Sequence, residues 1–361
     1  MTLKEDFGRS VPIDLSKDIS VLSNKDESFD SSWNEFIKSL PRCSFMYNRS
    51  AINYYIGSAI NKHIDYSFIV RNKKNILAIV PLIICYSEDE ISFSYDKTYL
   101  TLPSPLFSSL LSPKNLSRIE KLVFNQIIKI AKENKVDRYF TEEHILSHAF
   151  ESYYDNFISK FFKVRPKLDL CRIIDLSREK DELWEELRHS YKSLTNKGLS
   201  NFEFKLYDYS NISKDQLDLH ILLHSKLNKN YQRSIKSYED MHMMVLNKEA
   251  IFHIQLYKGE PLQTLYTLLG NNTSYGGSVS KNYEIECSIP STHSLNWQMF
   301  LDLKKLGIKY YETRFTSYWD ANIDSDKMND SKKVNSIGEF KRGFSQNSYP
   351  CLRWNIDMKN Y

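Results

Sequence analysis

A hairpin, a loop, an amphipathic helix and a further strand follow one another twice along this chain, and this order narrows its fold more than any other feature. Ser67–Ile84 reads as strand, polar turn at Asn72-Lys73-Lys74-Asn75, and strand. Ile251–Leu269 repeats the pattern with a turn at Lys258-Gly259-Glu260-Pro261, and Thr273–Val279 adds a third strand. In the first half, Ile119, Leu122, Val123, Ile127 and Ile130 recur at helical spacing over 116–133, and Arg138–Phe140 follows as a strand. In the second half, Leu295, Met299, Leu303 and Leu306 do the same over 294–306. Gly307 supplies the helix stop and Ile308–Phe315 the next strand. The halves share almost no sequence, so what repeats is element order. That order predicts a mixed α+β fold made twice, each unit a mostly antiparallel sheet flanked by helices.

At 361 residues the chain is long for one hydrophobic core, which favours two domains, 1–170 and 171–361. The boundary region holds a short strand, Arg172-Ile173-Ile174-Asp175-Leu176, and then a helix expected to run unbroken from Asp181 to Lys197 and stop at Gly198. Acidic residues open that helix and basic residues close it, which suits its dipole. A hydrophobic content of 41% supports packed domains, and a net charge of only +4 makes any cationic function local. The five scattered cysteines contain no CxxC pair and fit free thiols in a reducing compartment. The first residues lack an apolar signal region, and the longest apolar run, Ile76–Cys85, is broken by Pro81. The expectation is a cytoplasmic protein without a transmembrane segment.

Chemistry concentrates near the C-terminus. In Ile337-Gly338-Glu339-Phe340-Lys341-Arg342-Gly343-Phe344, two cations stand between aromatics and are bracketed by glycines. Such a segment can bring backbone and positive charge to a phosphate or carboxylate. On the 181–197 helix, Trp184, Leu187, Tyr191 and Leu194 form an apolar stripe. Arg188 and Lys192 lie four residues apart on another face, as an anion-binding surface or a solvated helix end. In the strand Ile308–Phe315, alternation sets Tyr310, Glu312 and Arg314 on one side, where Glu312 serves either as a general base or in an ion pair with Arg314. His220 and His224 are one helical turn apart but lack the HExxH context, so they predict helix packing and no metal site. His293 precedes the second-half helix as a candidate cap. The chain has no GxSxG, no phosphate-binding P-loop and no dinucleotide fingerprint, which disfavours a covalent hydrolase. The polar stretch Ser317–Ser336 is long enough for a lid.

Taken in order, Trp184–Leu194, Ser274-Tyr275-Gly276-Gly277-Ser278 and Gly338–Phe344 resemble the FemABX-like branch of the GNAT superfamily, whose C-terminal signature contains Phe-Lys-x-x-Phe. The resemblance covers roughly residues 175–355, and the first half matches in element order alone. It implies two tandem GNAT-like domains and acyl or aminoacyl transfer to amines of cell-envelope precursors or surface sugars. It also implies a cleft role for Lys341, which stabilises charge at the attacked carbonyl or on donor phosphate. Glu312 is the candidate base, and Arg188, Tyr191, Lys192, Tyr275, Tyr311, Arg314 and Arg342 are candidate binding residues. The chain departs from the pattern twice: it lacks the Q/R-x-x-G-x-G/A pyrophosphate loop and any heptad-patterned arm suited to tRNA. The first departure leaves CoA use unread from the sequence and the second weakens a tRNA donor, so the donor stays open with acyl-CoA ahead; a nucleotide- or lipid-linked amino sugar is the expected acceptor, in surface polysaccharide synthesis. The alternatives are aminoacyl-tRNA-dependent addition to a peptidoglycan precursor and a non-catalytic glycan- or nucleotide-binding module.

Overall fold

The computed structural model describes residues 19–59, 61–73, 75–95, 101–143, 146, 156–227, 234–313, 338–345 and 347–361. The first half begins with β1 (Ile19–Ser23), α1 (Phe29–Ser39) and α2 (Arg49–Ser58). The strands β2 (Lys62–Asp65), β3 (Phe68–Asn72), β4 (Asn75–Val80), β5 (Ile83–Tyr86) and β6 (Ile91–Phe93) follow. After β7 (Leu102–Pro103) and β8 (Leu106–Phe107) come α3 (Pro113–Asn134), β9 (Arg138–Glu143), α4 (Phe157–Phe162) and β10 (Lys167–Asp175). The second half runs α5 (Lys180–Glu186), α6 (His189–Leu199), β11 (Glu203–Tyr207), α7 (Lys214–Leu227) and α8 (Ile235–Leu246). It continues through β12 (Ala250–Tyr257), β13 (Glu260–Leu269), β14 (Thr273–Lys281), α9 (Thr292–Lys305), β15 (Tyr310–Glu312), a short helix over 338–342, and β16 (Ser348–Asp357).

The mixed α+β class and the repeated order read from the sequence are both present. The second hairpin turns through Lys258 and Gly259, both with positive φ, as a tight two-residue connection requires. Helix α3 starts on a Ser112 cap with proline in its first turn and buries Ile119, Val123, Ile127 and Ile130. Helix α9 ends as expected: Gly307 takes φ 80°, its N–H donates to the Lys304 carbonyl, and the Ile308 N–H donates to that of Leu303. Leu306, expected in the buried stripe, sits at the cap and is exposed.

Each half contains a parallel strand pair joined by a crossover helix, β6–α3–β9 and β14–α9–β15. The last strands of the halves are exchanged. β10 pairs antiparallel with β15 of the second half, β16 pairs antiparallel with β9 of the first, and β10 pairs with β16 between them. One continuous sheet, β11-β12-β13-β14-β15-β10-β16-β9-β6-β5-β2, therefore crosses both halves, with β7 beside β9. A division after residue 170 falls inside β10.

Three expectations need correction. The first hairpin does not extend to Ile84, because the chain leaves its second strand at Pro81, which lacks the N–H a ladder needs. β4 then belongs to a separate sheet, β1-β3-β4-β8, while β5 joins the large one. The helix expected over 181–197 is two helices, since Leu187 and Arg188 adopt ψ near 138°. The Arg188 N–H donates instead to the carbonyl of Gly343, at 2.9 Å, so a tertiary hydrogen bond replaces a helical one. Gly198 is not the stop either: α6 continues to Leu199, and Gly198 lies where an added Cβ would meet Ser294 at 2.2 Å.

Candidate active site

The candidate site lies where β10 runs past β15. Ile173 is in register with Glu312, so their side chains share one face of the sheet, together with Cys171; Arg172 points to the other. Glu312 is only 4% exposed. Beside it on this face a cleft of about 370 Å³ opens, lined by Ile173, Asp175, Arg178, Glu186, Asn347 and Tyr349. Its Arg178 is ion-paired with Glu186.

The helix over 338–342 docks on α6. The Tyr191 hydroxyl donates to the Phe340 carbonyl at 3.0 Å, and the Tyr191 ring meets His293 edge-on at 4.4 Å and Phe344 at 5.1 Å. Gly343 makes this approach possible: a Cβ there would lie 2.1 Å from the Tyr191 ring. Leu187, Tyr191, Phe300, Tyr311 and Phe344 belong to one buried cluster under the site. His293 is half-buried, its burial lowers its pKa, and its Nδ1 has no hydrogen-bond partner among the described residues.

The docked segment brings its two cations to neighbouring positions of β10. The Cys171 thiol is pushed well above its ordinary pKa by burial and by the charges of Glu312 and Glu142, while Lys341 acts in the opposite sense. Glu312 shares this sheet face with Cys171, and Lys341 lies within electrostatic range of the same thiol. Arg342 reaches Arg172 instead. Arg172 is 6% exposed, and its Nη1 donates to the Ser345 carbonyl at 2.7 Å. Burial lowers its pKa, the guanidiniums of Arg342 and Arg188 add to the effect, and Glu339 opposes it. Glu339 accepts from Arg188 at 3.4 Å and from Arg342, and the Arg342 bond chiefly holds its carboxyl below the usual range.

Tyr275 is opposite Glu312 across the parallel β14–β15 pair, and its ring stacks on Phe45 at 4.8 Å. Burial, and then Tyr275 and Glu312, raise the pKa of the Tyr311 hydroxyl, while the Gly276 N–H bonded to it offsets part of the rise. An added Cβ on Gly276 would lie 2.6 Å from that hydroxyl. The described β14–β15 pairing ends at Tyr275–Glu312, although β14 continues to Lys281.

Among the sequence candidates, the fold brings Glu312, Lys341, Tyr275 and Tyr311 to one region, and Arg188, Tyr191 and Arg342 to the adjoining one. Lys192 instead bonds Glu185 of α5 at 2.7 Å. Arg314, Ile337 and the stretch Ser317–Ser336 lie outside the described residues. His220 and His224 are buried, with the first hydrogen-bonded to Thr264 and Ser278 and the second to Tyr238. Arg172 and Cys171 are site residues that the sequence reading passes over. Their signal was an arginine between a cysteine and two isoleucines in the apolar middle of β10.

No protein-family model matches this chain, and no curated protein matches it. Solved structures do. A crystal structure of FemX aligns over 92% of this chain and 96% of its own length, with a TM-score of 0.59 and 11% identity. This chain has a FemX-like fold. The structure of L-PGS from Bacillus licheniformis aligns over 92% of both chains, with a TM-score of 0.58 and 10% identity. The C-terminal domain of a putative lysylphosphatidylglycerol synthetase from Agrobacterium fabrum covers 91% of this chain and 90% of its own, at a TM-score of 0.56 and 8% identity. The resemblance to the FemABX-like GNAT branch, read mainly from residues 175–355, therefore extends at the level of fold to both halves.

Proposed function

We propose that this chain is a transferase that moves an acyl or aminoacyl group to the amine of a cell-envelope precursor. The observation that carries this reading is the buried Glu312 at the end of the parallel β14–β15 pair, on the sheet face that bears the cleft, with the Lys341-bearing helix docked against α6. In the reaction, the acceptor nitrogen attacks the donor carbonyl, a C–N bond forms, and the bond to the leaving thiolate or ribose oxygen breaks. Glu312 takes the proton that the amine must lose, and Lys341 stabilises the charge that develops on the carbonyl oxygen. The adjoining cleft carries Asp175 and Glu186, which suits an approaching ammonium. Arg188 and Arg342 hold an anionic part of a substrate, Tyr275 borders the approach beside Glu312, and Tyr311 supports it from the buried face.

Acyl-CoA as donor and an amino sugar of a surface polysaccharide as acceptor form the leading assignment. Aminoacyl-tRNA is the second, and the FemX-like fold favours keeping it in the test. Purified protein is incubated with labelled acetyl-CoA or charged tRNA and a panel of amino-sugar nucleotides. Transfer of label to an amine is the expected result. Ligand binding with transfer from neither donor would mean a binding module and overturn the reading.

A further inference from the structure

Four charged side chains gather around the segment 339–345 on the side of β10 away from Glu312. Glu339 is shared by Arg188 and Arg342, and all three side chains remain about two-fifths exposed. Arg172 lies beneath them, held to the same segment through the Ser345 carbonyl. Among the described residues, three guanidiniums gather around one carboxylate. Burial lowers the pKa of Arg172, and Arg342 and Arg188 add to the effect, a cost that a bound anion offsets. The Arg172 Nε is buried and has no hydrogen-bond partner among the described residues. A buried donor in that state loses free energy until it is satisfied.

We propose that Arg172, Arg188 and Arg342 form a seat for a phosphate or diphosphate group, and that Glu339 occupies this seat as an internal counter-ion until the ligand displaces it. Half-exposed ion pairs exchange readily, because each contributes little net stability in water. Guanidinium forks match phosphate oxygens in pairs, and a diphosphate offers oxygens enough for more than one of them. The seat deepens the transferase reading by naming the chemistry of the substrate's anionic part, and it rests on that reading only for the identity of the ligand. A nucleotide diphosphate and the pyrophosphate of CoA present the same group.

The test is calorimetric titration of the full chain with inorganic pyrophosphate, then with UDP-N-acetylglucosamine and with CoA. Wild type is expected to bind pyrophosphate. R342Q should weaken binding about tenfold, as the loss of one charged hydrogen-bonding partner predicts. E339Q removes the competitor without removing a cation and should tighten binding roughly threefold. R172M should also weaken it, with circular dichroism checking that the variant folds. Whichever of the two larger ligands shows the same response to E339Q identifies the source of the phosphate. Unchanged binding in both E339Q and R342Q, or tighter binding in R342Q, would overturn the proposal. Pyrophosphate binding that follows the expected order without transferase activity would sink the transferase reading and leave the seat standing. Transfer activity with binding indifferent to both variants would do the reverse.

Discussion

Replacing Gly343 by alanine tests the docking that assembles the site. The new Cβ would lie 2.1, 2.3 and 2.7 Å from three atoms of the Tyr191 ring. Carbon atoms pack at about 3.5 Å or more, so the ring must retreat by about 1.4 Å. The ring already packs edge-on against His293 and Phe344, with centroids 4.4 and 5.1 Å away, so the movement disturbs those contacts. Overpacking of this kind costs about 1–3 kcal/mol. Losing the Tyr191–Phe340 hydrogen bond adds about 1 kcal/mol, for a total of about 2–4 kcal/mol. The unfolding entropy of a chain of 361 residues is about 0.76 kcal/mol/K, so Tm should fall by about 3–5 °C. The assay is thermal unfolding of G343A, Y191L and the double variant. Leucine removes the ring edge that clashes, so in the Y191L background G343A should cost almost nothing. An equal loss of Tm in both backgrounds would refute the proposed clash and with it the account of why this position is glycine.

Further outcomes follow from other parts of the site and its support. G276A places a Cβ 2.6 Å from the Tyr311 hydroxyl, beside Glu312, and should lower kcat by about tenfold with less effect on Tm than G343A; steady-state kinetics with a thermal melt separates the two. Asp302 gives a pH test. Burial alone would raise its carboxyl, but hydrogen bonds from His253, Gln298 and Lys305 outweigh burial and hold the pKa at about 2. The folded value lies below the unfolded one of about 3.9, so the unfolded chain binds protons first as pH falls. The stabilisation is present above about pH 4 and is lost between about pH 4 and 2, at about 2.6 kcal/mol. D302N should therefore be less stable at pH 7 and show a flatter acid limb in urea melts; an unchanged acid limb would remove Asp302 as its source.

Local patterns exposed most of the second half to sequence reading. The Lys258-Gly259 turn, the α9 stripe and the Gly307 stop all depend on residues close in sequence, and each formed where its chemistry required. Contacts between distant residues were not legible. The break at Leu187–Arg188 lies within good helix-forming sequence and exists because Gly343, far along the chain, accepts the Arg188 N–H. The exchange of β10 and β16 could not be inferred either, because alternation in a strand fixes its faces but not its neighbours. Arg172 reads as one of several charges along β10 until the fold bonds it to Ser345 and brings Arg342 and Arg188 within electrostatic range. For the same reason Lys341 and Glu312 were legible as candidates separately, while the docking of the Lys341 segment beside β10 required the fold.

The most direct test of the site's assignment is a single-turnover transfer assay comparing wild type with K341A and E312Q, on whichever donor and amine wild type uses. Loss of Lys341 should slow the chemical step by about 100-fold or more, as for other groups that stabilise developing charge. E312Q should slow it by a similar factor, with partial recovery at higher pH as the free amine becomes the dominant form. Full turnover in K341A would mean that transfer occurs elsewhere in the molecule.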